Sequence, residues 1–102
     1  MAHAIIGGQY AATASAVSVT AALGLSVGVY IKKLTIKNAG GAANKAYLGD
    51  SDVTTTTNAH VELSADQSYD YWSGESHRVN TDDVYVIGTV NATNILYING
   101  IT

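Results

Sequence analysis

The stretch Ala4–Ile31 contains no charged residue, and Lys32-Lys33 follows it directly. A run of that length with a basic flank is long enough to cross a bilayer as a helix. Its interior argues otherwise. Val17, Val19, Ala21, Leu23, Leu25, Val27, Val29 and Ile31 are all apolar, while the alternate positions from Ala16 to Tyr30 are smaller or more polar. A period of two places one set of side chains on one face of a strand, whereas a helix needs 3.6. Glycine and hydroxyl residues weaken a spanning helix further, and Met1-Ala2-His3 offers no cationic start to a secretory leader. The expectation is extended chain and no membrane insertion. Fifteen extended residues would span about 50 Å, so a bend is expected between Ala21 and Gly24. The apolar parity flips after the lysine pair, to Leu34 and Ile36, which requires a bulge or turn there. Residues 1–12, with Gly7-Gly8 and small side chains, read as an extended arm.

The rest of the chain reads as short strands. Leu34 to Asn38 is followed by the turn signal Ala39-Gly40-Gly41-Ala42-Ala43-Asn44, and Lys45 to Gly49 is the next strand. After Asp50-Ser51-Asp52, the β-branched run Thr54–Thr57 suits extended backbone, and Asn58 offers a turn. Val61, Leu63 and Ala65 alternate with Glu62, Ser64 and Asp66, giving a strand with one wet face. Tyr69, Tyr71 and Trp72 precede the polar stretch Ser73–Asp83. Val84 to Ile87 is apolar on both parities and reads as a central strand, and Ile95 to Ile98 follows the polar turn Asn91–Asn94. Seven or eight short strands without helical periodicity predict an all-β fold: a single antiparallel β-sandwich, jelly-roll-like, over 13–102, with the arm at 1–12. Val17, Val19, Leu34, Ile36, Val61, Leu63, Val86 and Ile98 are the expected core.

Composition then limits what such a domain does. Only 13% of the 102 residues are charged, about half the usual fraction, and a chain this short without cysteines has neither disulfides nor thiolate metal sites to add stability. Oligomerisation is the remaining means, and much of the surface is suited to being covered. Five cations against eight anions form no basic stripe, so nucleic acid is not an expected partner. The absence of cysteine permits either redox compartment.

Little in the sequence carries chemistry. His3, His60 and His77 lack ligand spacing. Asp50-Ser51-Asp52 and Asp82-Asp83 sit at turns, where β-proteins can bind calcium, but Asp also belongs in turns for its own backbone hydrogen bonds. Hydroxyl, His and Asp residues occur without a nucleophile pattern, and there is no phosphate-binding loop or nucleophile elbow. No enzyme activity and no cofactor are expected. Asn91-Ala92-Thr93 matches a glycosylation triplet that arises often by chance. Tyr69, Tyr71 and Trp72, beside Glu75 and Arg78, are the best local binding surface. In a regular strand Tyr69 and Tyr71 share a face and Trp72 takes the other.

Three segments carry a resemblance: Leu34-Thr35-Ile36-Lys37-Asn38-Ala39-Gly40, Ala46-Tyr47-Leu48-Gly49-Asp50-Ser51-Asp52-Val53-Thr54, and Asp83-Val84-Tyr85-Val86-Ile87-Gly88. From Leu34 onward the chain resembles small all-β structural proteins of tailed-bacteriophage virions, of the capsid decoration (cement) or fibre-base type. Asn58 stands where a Gly is common in that class, and Leu63 is followed by Ser64-Ala65-Asp66 in place of Pro-Gly. The resemblance implies a non-enzymatic capsid decoration protein on the virion surface, bound to the major capsid protein lattice and stabilising the shell. The alternative is a tail or head fibre component touching host glycans through Tyr69, Tyr71 or Trp72. A homo-oligomer is expected, a trimer at the lattice threefold or else a dimer. The arm is expected to be disordered alone and to anchor by adding to a sheet edge, with Ile5, Ile6 and Tyr10 in small pockets.

Overall fold

A computed structural model describes residues 5–40, 44–72, 79–89 and 94–102. Among these the chain is strand with one short helix: β1 (Ile5–Ala12), β2 (Val17–Ser18), α1 (Val19–Ala22), β3 (Tyr30–Ile31), β4 (Lys33–Asn38), β5 (Ala46–Gly49), β6 (Ala59–Leu63), β7 (Ser68–Trp72), β8 (Val79–Asn80), β9 (Tyr85–Gly88) and β10 (Asn94–Ile101). Two four-stranded sheets run in the orders β1-β10-β4-β7 and β2-β9-β5-β6, with a separate β3-β8 ribbon. Every pairing is antiparallel. The fold is therefore all-β.

Alternation within the strands builds one core shared by both sheets. Leu34 and Ile36 of β4 and Leu96 and Ile98 of β10 meet Ala46 and Leu48 of β5, Leu63 of β6 and Val86 of β9, all buried. Of the expected core, Val17 and Val61 are half-buried against this cluster and the other six are buried. β9 lies between β2 and β5, an interior strand as its two-sided apolarity requires.

Three expectations are corrected. The alternating run from Val17 is not a long strand. Two residues of β2 give way to α1, where Ser18 caps the helix by accepting the Ala21 N–H at 3.1 Å. Gly24, at φ +70°, then turns the chain, and Val27 ends 69% exposed. A strand of the length that the alternation suggests would overrun its partners, and the cap supplies a local way out. The second correction concerns Thr54–Thr57, which are not extended. The Thr54 hydroxyl accepts the N–H groups of Thr56 and Thr57, at 3.2 and 2.8 Å, and closes a turn. Finally, residues 5–12 are extended, but as an edge strand of the domain's own sheet: all eight pair with β10, from Ile5 opposite Ile101 to Ala12 opposite Asn94. The parity flip at the lysines is present as a bend at Lys32 between β3 and β4, with Ile31 and Leu34 both buried. The Asn91–Asn94 turn falls largely outside the described residues, since 90–93 are not among them.

Candidate functional site

Three regions can meet a partner, and each grows from a different piece of the sequence. The first is the end of the molecule where the segments after β2, β5 and β8 converge. Thr20 of α1 donates its hydroxyl to Asp82 Oδ1 at 2.6 Å. A hydroxyl has one proton, so the 2.7 Å contact between Thr20 and Thr81 must be donated by Thr81. Thr81 in turn accepts the Val29 N–H at 2.9 Å. The relay Val29 to Thr81 to Thr20 to Asp82 thus ties three segments together and ends on a carboxylate. Gly28 fits under it because a Cβ there would collide with Asp82 Oδ2 and Asn80 Oδ1.

Beside this relay is an open cleft of about 380 Å³ lined by Asp50, Ser51, Asp82, Asp83 and Tyr85. The turn carboxylates singled out in the sequence come together here except Asp52, which does not line it. Among the described residues no three His, Asp or Glu side chains converge closely enough to hold a metal ion. His60 faces Asp50 at 3.7 Å, with both side chains largely exposed. Among the described residues no hydroxyl is hydrogen-bonded to His60. His3 and His77 lie outside the described residues, as do Glu75 and Arg78.

The second region is the aromatic pair on β7. Tyr69 lies opposite Ile36 and Tyr71 opposite Leu34. Both partners are core residues, so the tyrosines lean over the open side of the core between β6 and β7. Their rings meet edge to face, 5.0 Å apart at 80°. Tyr69 is 40% exposed, whereas Tyr71 is half-buried against the core. Burial pushes the Tyr71 phenol up to about 12, with Tyr69 and the Asp50 carboxylate adding to the shift. Trp72 is opposite Lys33 in the register. Its side chain lies outside what the structure describes.

The third region is the wall formed by β1, the crossover 13–16, β2 and α1. It comes entirely from the charge-free run. Ile6 and Tyr10 are half-buried against the core, while Gly7, Gly8 and Gln9 are exposed. Ile5 is placed by its pairing with Ile101. The structure therefore gathers Ile5, Ile6 and Tyr10 on one edge, and Tyr69 and Tyr71 on the opposite side of the same sheet. They are two surfaces, not one. The residues that sequence reasoning missed are Thr20, Thr81 and Asn38, all buried polar groups whose role depends on partners distant in the chain.

Comparison of the chain with protein-family models finds no match, and comparison with curated proteins finds none either.

Proposed function

We propose that this chain is a non-enzymatic structural protein of a tailed-bacteriophage virion, a capsid decoration protein seated on the outer face of the major capsid protein lattice, where it bridges neighbouring capsomers. The observation that carries the reading is the strand order. Setting the β3-β8 ribbon aside and counting the other eight strands in sequence turns β1-β10-β4-β7 into 1-8-3-6 and β2-β9-β5-β6 into 2-7-4-5. Those are the orders that two nested Greek keys give when folded into a two-sheet sandwich, the jelly roll that viral capsid and lectin domains use. Many functions share that architecture, and the motif resemblance selects the virion among them. The departures from the motif support it as well. Asn58 and Asp66 have φ of 62° and 66°, the left-handed conformation that a glycine takes most easily and that Asn and Asp tolerate best.

Counting copies tests the reading. Quantitative mass spectrometry of the purified virion is expected to find hundreds of copies per particle, and absence from the particle would overturn it. The exposed Tyr69 beside Tyr71 favours a second reading, a fibre component that contacts host glycans. It predicts a few copies per particle and glycan binding that is lost in Tyr69→Ala.

A further inference from the structure

We propose that the charge-free wall carrying β1 receives a second copy of this chain, the two β1 strands pairing antiparallel across a two-fold axis at Gly8. The inference deepens the assembly reading above and rests on its view of this surface as one to be covered.

The two sheets have four edges, β1, β7, β2 and β6. β2 is two residues long, β6 carries His60 and Glu62, and β7 carries Asp70 in an ion pair with Lys33 at 3.7 Å. Short length and charge are the usual ways to keep a sheet edge from pairing with another chain. β1 has neither. It is eight residues of Ile, Gly, Gln, Tyr and Ala, and among the described residues β10 is its only ladder partner. The segments that continue from it carry no charge as far as Ile31, and among the described residues they include the two most exposed large apolar side chains, Val27 at 69% and Tyr30 at 63%.

A second copy fits this edge better than any other edge of the molecule does. β1 against β1 opposes no like charges, because none of its eight residues is charged, whereas β6 or β7 of another copy would bring its charges against uncharged residues with nothing to pair them. A two-fold axis normal to the sheet requires opposed residues to share a face, so it passes through a residue. Placed at Gly8, it sets Ile6 across from Tyr10 twice, Gly7 across from Gln9, and Ile5 across from Ala11. An aliphatic–aromatic cross-strand pair is a stabilising one. Eight residues make an edge about 27 Å long, and the molecule is 22 to 23 Å across its short axes. The wall therefore offers roughly 600 Å² per partner and roughly 1,200 Å² in all, the lower bound for a specific interface. Pairing of this kind closes at two copies, which sets it apart from the lattice-derived trimer.

The test uses the full chain. Light scattering is expected to give twice the 10.6 kDa of one chain at tens of micromolar. Because the sequence has no cysteine, Gly8→Cys can cross-link only between copies. Opposed residues of an antiparallel pair lie within disulfide reach, and the nearest atom to a Cβ at Gly8 is Leu23 Cδ2 at 3.8 Å, so the variant has room to fold. It is expected to oxidise to a covalent dimer, while His60→Cys on β6 does not. Gly8→Lys is expected to keep its circular dichroism and raise the dimer dissociation constant roughly tenfold or more, since like charges then face each other. A monomeric or trimeric wild type, or a Gly8→Cys that stays uncross-linked, overturns the inference. A dimer that is missing from virions overturns only the virion reading. A monomer present there in hundreds of copies overturns only the dimer.

Discussion

Asn38 shows how a single polar residue can hold a loop end. Fully buried, it donates from Nδ2 to the carbonyls of Asn44 and Leu63, both at 3.0 Å, and accepts the Gly40 N–H on Oδ1 at 2.9 Å. Its backbone also bonds to Gln67 and Asp66, at 2.9 and 2.7 Å. Both amide protons and one lone pair of Oδ1 are therefore used, on backbone groups that are buried or half-buried. Asn38→Ala strands those partners and is expected to cost about 2 to 4 kcal/mol in urea unfolding. Asn38→Asp is expected to cost at least as much, because it replaces the donor with a buried acceptor. A loss under about 0.5 kcal/mol in both would mean water reaches the site. Tyr71 gives a second test. Its phenol ionises near 12 in the fold against an ordinary 10.0, with burial as the main cause. The folded state holds the proton more tightly than the unfolded chain, so this contribution to stability is complete below pH 10 and drains away as pH rises to 12. Tyrosinate absorbance is expected to show a step near 12 that Tyr71→Phe removes. Tyr71 could be read from the sequence as an aromatic at a strand position. Asn38 could be read only as the end of a strand, because its side chain joins the β4–β5 connection, at Gly40 and Asn44, to Leu63 of β6, which only the fold brings near.

At the scale of elements, β4, β5, β9 and β10 were legible because their apolar pattern and their burial have the same cause. Local chemistry misled elsewhere. In Val17–Ile31 the alternation was real, but one serine cap and one left-handed glycine redirected the chain, and Thr54–Thr57 traded β propensity for hydroxyl bonds to their own backbone. β1 was underestimated for another reason. Glycine and small side chains weaken an isolated strand, yet β10 supplies eight partners along its length, and Ile6, Tyr10 and Ala12 find the core. Deleting 5–12 is accordingly expected to destroy the cooperative unfolding transition, because it bares the edge of β10 and the Leu96–Ile98 side of the core. A truncated chain that kept its circular dichroism and its melting transition would return these residues to the status of a detachable arm.

For the whole molecule, the charge-free run that first suggested a membrane span acquires a different meaning. No helix among the described residues is long and apolar enough to cross a bilayer. The run instead supplies the wall of β1, β2 and α1 on one side and then β3, which pairs with β8, and every Asp, Glu, Lys and Arg falls in residues 32–83. The two sides should therefore answer differently to salt. Ion pairs on the charged side, such as Lys33–Asp70 and Lys45–Glu62 at 3.7 and 3.5 Å, are half exposed and contribute little even at low ionic strength. Contacts through the neutral wall consist of backbone hydrogen bonds and apolar burial, neither of which is screened. Raising salt across the physiological range and well beyond it is thus expected to change the dissociation constant of self-association by less than about threefold, because no charges are brought together for the salt to screen. Sedimentation velocity at several salt concentrations measures this directly. A steep fall in association with salt would place the contact on the charged side, around Asp50, His60 and Asp70, and leave the neutral wall unexplained.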